Sequence, residues 1–190
     1  MNAIDKNDEI LIKKAAEIIP KVVKARSTVN SEPIELPSVC PCCATKLIDV
    51  EDLYFSKQDK SYMFSNPRSK AEVEHILETM IAENNNFVFS AVKGDYGDTL
   101  ISALDYAILI EVPREIRIQR VKERSYQKFG KRMLPGGDLY EQECAWFTFV
   151  ENRSEDYVSK WIEQINCPVI RLDGTLPVMD NIDYLLSILQ

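Results

Sequence analysis

Cys40 and Cys43, in the stretch VCPCCATKL, are spaced as a thiolate pair that holds a metal ion. Tetrahedral zinc needs four such donors. No second pair of that spacing follows in the sequence. The remaining donors are Cys42, His75, Cys144 or a second chain, and the alternative is a cluster of thiols with no metal. A different chemistry is written between Pro113 and Arg132, where eight basic residues stand against two acidic ones. Arg120, Arg124, Lys128 and Arg132 recur every four positions, so they share one face of a helix. Guanidinium groups grip phosphate oxygens in pairs. The plainer reading is a solvated face beside the negative end of a helix dipole. Carboxylates form a third group: Asp49, Glu51 and Asp52 in LIDVEDLYF follow a predicted strand, where open parallel sheets place ligands and where Asp also caps helices. Lys93 and Asp95 follow FVFSAV, Asp173 follows the last strand in RLDGT, and Arg68 sits in NPRSK. For Asp95 and Asp173, turn and loop capping is the competing role. His75, the single histidine, stands among glutamates in a predicted helix and reads as a surface residue.

Something must hold these groups in place. Beyond about Val39 the chain alternates strands with helices: strands at Lys46–Val50, Phe87–Val92, Tyr106–Val112 and Pro168–Leu172, and helices after Ser69, Pro113 and Asp138 and at the C-terminal end. That alternation predicts a parallel sheet covered by helices on both sides. Ser69 and Glu72 form a capping box, Pro113 suits a helix's first turn, and Gly130 suits its end. Trp146, Phe147, Phe149 and Trp161 are expected in the core on one long amphipathic helix. Before Val39, EILIKKA (Glu9–Ala15) and IIPKVVKA (Ile18–Ala25) read as short β segments, and residues 26–39 as a linker.

The chain has 190 residues, of which 45% are hydrophobic and 28% charged, which suits one globular core with a small appendage. A net charge of -7 argues against wholesale attraction to nucleic acid or anionic membranes, though it leaves room for a local basic face. Five cysteines without regular spacing and a first stretch lacking a signal pattern point to the cytoplasm, and no apolar run approaches the roughly 18 residues of a membrane span.

Residues 4–47 carry a first resemblance. Asp8, Ala15, Ile18, Ile19, Pro20, Val22, Pro37, Cys40, Pro41 and Cys43 stand in the order found at the end of the oligonucleotide-binding barrel, and the start of the zinc module, of NAD-dependent DNA ligases. The resemblance implies Zn2+ on Cys40 and Cys43, and contact with nucleic acid through the basic face and Lys13, Lys14, Lys21 and Lys24. The nucleotidyltransferase domain that carries the adenylated lysine in those ligases has no counterpart here, so ligation is not expected.

Residues 47–190 carry a second. LIDVEDLYF, NPRSKAEV, NFVFSAVKGDYGD, the run from Tyr106 to Glu143 and CPVIRLDGT resemble P-loop nucleoside and nucleotide kinase-like proteins. The resemblance implies ATP, Mg2+ and a small hydroxyl acceptor. It also implies Asp49 and Asp52 at the acceptor, Arg120, Arg124, Lys128, Arg132 and Asp173 at the nucleotide, and Arg68, Lys93 and Asp95 at the substrate. P-loop enzymes cradle phosphates with G-x4-GK-[ST], and that motif occurs nowhere in these 190 residues. The expected fold is therefore α/β: a kinase-like parallel sheet lacking its own first strand and phosphate loop (47–190), preceded by a ligase-like β segment and half zinc knuckle (1–46). The expected function is a truncated or rearranged phosphotransferase, weakly active or inactive, with a ligase-related nucleic-acid-binding fragment as the alternative. In a kinase-like sheet of order 2-3-1-4-5 the absent first strand belongs in the middle, so EILIKKA or IIPKVVKA is expected to fill the gap, or the sheet to close up.

Overall fold

The computed structural model describes residues 21–25, as backbone only, together with residues 45–55 and 62–189. Its strands are β1 (Lys21–Ala25), β2 (Lys46–Asp49), β3 (Phe87–Ala91), β4 (Tyr106–Glu111) and β5 (Val169–Asp173). The helices are α1 (Val50–Tyr54), α2 (Lys70–Glu83), α3 (Asp98–Ser102), α4 (Arg114–Phe129), α5 (Tyr140–Glu151), α6 (Ser159–Ile162) and α7 (Val178–Ile188), with a 3-10 turn at Gly130–Met133. The protein is mixed α/β, and the five strands form one sheet in the order β2-β3-β1-β4-β5. Every pairing is parallel.

β1 lies in the middle of that sheet. Its five residues pair with β3, from Lys21 opposite Phe87 to Ala25 opposite Ala91, and four of them also pair with β4. KVVKA, the second half of IIPKVVKA, thus occupies the central position expected to need a substitute strand. EILIKKA, the linker and Cys40, Cys42 and Cys43 lie outside the described residues.

Strands covered on both faces need apolar residues at nearly every position. β3, FVFSA, is buried at four of its five positions, and β4 at Ala107, Ile108, Leu109 and Ile110. Alternate residues of β4 feed two cores. Ala107 and Leu109 join Leu77, Phe87, Phe89, Leu100 and Trp161 in the larger one, whereas Ile108 and Ile110 join Ile170, Leu172 and Leu185 in the smaller.

Local signals act as the sequence predicts, with small shifts. Ser69 accepts from the Glu72 amide while the Glu72 carboxylate accepts from the Ser69 amide, completing the capping box of α2. Pro113 is the N-cap of α4 rather than a first-turn residue, and Gly130 ends that helix at φ 57°. β2 stops one residue early because Asp49 caps α1.

Two expectations about the helices fail. Arg132 does not share the helix of Arg120, Arg124 and Lys128, because Gly130 ends α4 before it. The long aromatic helix is split into α5 and α6, and only Trp161 is buried in the core. The inward face of the α5 region is set by Leu139 and Glu143, so Trp146 (42% exposed) and Phe149 (58%) are turned outward.

Candidate functional site at the carboxyl edge of the sheet

Because all five strands run the same way, their carboxyl ends meet on one edge, the usual ligand side of an open parallel sheet. Topology brings four of the sequence candidates there: Asp49 ends β2, Lys93 and Asp95 follow β3, and Asp173 ends β5. Each already has a local partner. Asp49 Oδ1 accepts from the Glu51 amide at 2.9 Å. Lys93 Nζ lies 3.0 Å from Asp95, which also meets Lys70 at 3.9 Å. Asp173 Oδ1 accepts from the Thr175 hydroxyl at 2.6 Å and the Thr175 amide at 2.8 Å, and these bonds hold its carboxyl below the ordinary carboxylate range. Beside it, Glu111, Val112, Pro113, Arg171, Leu172 and Asp173 line a cavity of about 470 Å3, with Arg171 and Glu111 paired at 2.6 Å.

The basic face of α4 divides. Arg120 Nη1 donates to the Gly174 carbonyl at 2.9 Å, tying the helix to the turn after β5. Lys128 Nζ lies 3.9 Å from Glu51 on α1 and 4.4 Å from the centre of the Phe64 ring. Arg124 has its Nε buried. Arg132 leaves the group: its Nε and Nη2 donate to Asp138 at 3.0 and 2.6 Å in the loop before α5. Arg68 Nη1 donates to the Leu53 carbonyl at 2.7 Å, so it braces α1. Asp52 is exposed on α1. Helical spacing correctly puts Arg120, Arg124 and Lys128 on one helix, but the expectation fails for Arg132, because Gly130 ends α4 and Arg132 falls in the 3-10 turn beyond it.

Gly94, in the loop between Lys93 and Asp95, allows a close approach. A Cβ there would stand 2.5 Å from Trp161 Cζ2, so the indole fills the space beside this loop.

Three groups were missed by the sequence reading. Glu143 is 1% exposed, and its Oε1 accepts from the Tyr62 hydroxyl at 2.9 Å while Oε2 is buried without a hydrogen bond among the described residues. Burial first, and then the Glu143 hydrogen bond and charge, push the Tyr62 phenol well above its usual range. Arg153 and Tyr157 were also overlooked. The Arg153 guanidinium stands 5.1 Å from the Phe149 ring centre and 5.3 Å from that of Tyr157, whose ring also carries Lys93 Nζ at 4.9 Å. Burial lowers the Arg153 pKa, a nearby Arg117 adds to that, and Tyr157 opposes it. Exposed aromatics at i and i+3 followed by an arginine at i+7 were the available signal in the sequence.

Among the described residues no group of three His, Cys, Asp or Glu side chains could hold a metal ion. Cys144 and Cys167 are free thiols, and burial pushes the Cys167 thiol up. His75 is exposed on α2. No helix among the described residues is long and apolar enough to cross a membrane.

No family model matches the chain. It is similar to the uncharacterized protein YqaC of Bacillus subtilis strain 168, at 28% identity over 135 residues that span 67% of this chain and 76% of that protein. It is also similar to DNA ligases. For that of Listeria monocytogenes serotype 4b the identity is 30% over 80 residues, 40% of this chain and 11% of the ligase. For that of Macrococcus caseolyticus it is 24% over 128 residues, 64% of this chain and 18% of the ligase. The chain thus spans less than a fifth of the length of either ligase.

Proposed function

We propose that this chain is a rearranged protein built on an ATP-dependent phosphotransferase scaffold, with a ligase-like segment supplying its central strand and with little or no kinase turnover. The position of β1 carries the reading: KVVKA runs parallel between β3 and β4 in the order β2-β3-β1-β4-β5. That is the order the kinase-like resemblance implies, while no G-x4-GK-[ST] follows this strand. Among the described residues, the carboxyl edge does not fit a triphosphate with Mg2+. The glycine loop after β3 packs on Trp161, Lys93 is paired with Asp95, and Asp49 caps α1. No phosphoryl-transfer step is therefore assigned to these residues. Asp49 and Asp52 remain the acceptor-side residues of this reading, with Arg68, Lys93 and Asp95 beside the substrate and Arg120, Arg124, Lys128, Arg132 and Asp173 toward the nucleotide. The test is ATP binding and hydrolysis by the purified protein, with metal content determined on the same sample. The expected result is no turnover; bound nucleotide with turnover overturns the reading, and one zinc per chain that is lost in Cys40→Ser with Cys43→Ser assigns a metal site to that pair.

A second reading has its own support. The similarities to DNA ligases favour a nucleic-acid-binding fragment related to that family, and they weigh for this reading rather than for the first. It would act through the basic face of α4 and the lysines of the N-terminal segment. A mobility assay across salt concentrations tests it, because phosphate contacts make affinity fall steeply as salt rises.

A further inference from the structure

Trp146 and Phe149, one helical turn apart on α5, stack with ring centres 5.6 Å apart and planes 24° from parallel. The contacts continue without a gap. Arg153 lies over Phe149 and over Tyr157, and Lys93, at the carboxyl edge of the sheet, lies over the other rings' neighbour Tyr157. The result is a ladder of ring, ring, cation, ring and cation, leading from the outer face of α5 to the end of β3. The rings of this ladder stay accessible. Here Trp146, Phe149 and Tyr157 keep 42%, 58% and 40% of their surface in water.

We infer that the strip formed by Trp146, Phe149, Arg153, Tyr157 and Lys93 binds single-stranded nucleic acid, with unpaired bases on its exposed rings and phosphates on its cations. The chemistry favours this occupant over others. Every base offers a π-face to an aromatic ring, and a single strand alternates such faces with negative charge, as the strip alternates rings with positive charge. A duplex keeps its base faces stacked and cannot use the rings. Of the nearby carboxylates, Glu151 is paired with Lys122, Glu155 with Arg114 and Asp156 with Lys160, whereas Asp95 pairs with Lys93 at 3.0 Å, so Arg153 is the strip's main phosphate contact. Among the described residues no carboxylate pairs with Arg153, whose partners are the two rings. Burial and the nearby Arg117 work against its charge, and a bound phosphate relieves that cost. The inference goes beyond the ligase-related reading, since the strip lies on α5, the segment after it and the end of β3, not on the basic face or the N-terminal lysines.

The experiment is titration of the full chain with short oligo(dT), read by anisotropy of a labelled oligonucleotide and by tryptophan fluorescence. Of the two tryptophans, Trp146 is exposed and Trp161 is buried, so stacking quenches the first. The expected results are quenching that survives Trp161→Phe and an affinity that falls at least about fivefold in Trp146→Ala with Phe149→Ala. The same-sequence duplex binds more weakly. The log–log salt slope is no steeper than about -1.4, as at most two phosphates on Arg153 and Lys93 at ~0.7 each allow, and becomes shallower in Arg153→Gln. Absence of binding at low salt, an unchanged affinity in the double variant, equal binding of the duplex, or equal quenching by thymidine monophosphate overturns the inference. If the double variant binds as wild type while Lys13→Gln with Lys14→Gln does not, the strip is refuted and the ligase-related reading stands.

Discussion

Proline at Val23 tests the claim on which the fold depends, that KVVKA is the central strand. Both flanks of β1 are occupied, with Val23 opposite Phe89 of β3 and opposite Ala107 of β4. A proline in a central strand removes a ladder donor and sets its ring against a neighbouring strand. The carbonyl left without its donor lies inside the sheet, which costs about 1–3 kcal/mol. Fitting the ring adds a similar amount, for a total of roughly 3 kcal/mol. Set against the 5–15 kcal/mol that holds a typical domain together, this is a large fraction. In a domain of 150–250 residues each kcal/mol shifts the melting temperature by about 2–4 °C, so Val23→Pro is expected to melt roughly 6–12 °C below wild type. Thermal unfolding followed by circular dichroism measures it, with Leu11→Pro in EILIKKA as the comparison. If Val23→Pro melts within about 2 °C of wild type, or Leu11→Pro does the greater damage, the assignment of the central strand is wrong.

Three further outcomes follow from single contacts. Asp49→Ala removes the cap of α1 and is expected to cost about 1 kcal/mol, whereas Asp49→Asn, which still caps, melts with wild type; equal losses in the two would show that the carboxylate has a further structural role. Gly94→Ala drives a methyl group into Trp161 and is expected to cost roughly 1–3 kcal/mol with a shift in Trp161 emission, while an unchanged spectrum would remove the indole from this loop. Tyr62 has a folded-state pKa raised, chiefly by burial, above its unfolded value, so its contribution is fully present below about pH 10 and is lost as the pH climbs beyond that. Urea midpoints measured between neutral and strongly alkaline pH should therefore fall more steeply for wild type than for Tyr62→Phe, which also loses the Glu143 hydrogen bond and starts lower; parallel curves would refute this account.

Much of the framework was legible because its signals are local. Ser69 and Glu72 start α2, and Gly130 stops α4, through bonds that reach three or four residues. The apolar runs FVFSA and YAILI could be read as doubly covered strands for the same reason: burial on both faces leaves a composition that needs no partner to be recognised. Trp146 and Phe149 were misread because hydrophobicity alone does not say which face of a helix turns inward. That is decided by Leu139 and Glu143, and a buried glutamate gives no apolar signal. Asp49, Lys93, Asp95 and Asp173 could be placed at strand ends from the sequence, but their local partners could not, since turn geometry determines which oxygen meets which amide.

By itself, the sequence determined the alternation of strands and helices, the capping of those helices, the basic stripe of α4 and the lack of a glycine cradle ending in Lys-Ser or Lys-Thr. All of these are properties of neighbouring residues. Only the tertiary structure decided that β1 enters the middle of the sheet, that Arg120 and Lys128 reach the carboxyl edge while Arg132 turns to Asp138, and that two cations share the ring of Tyr157. Such pairings join residues far apart in the chain, and their energies exist only once packing has brought the two sides together.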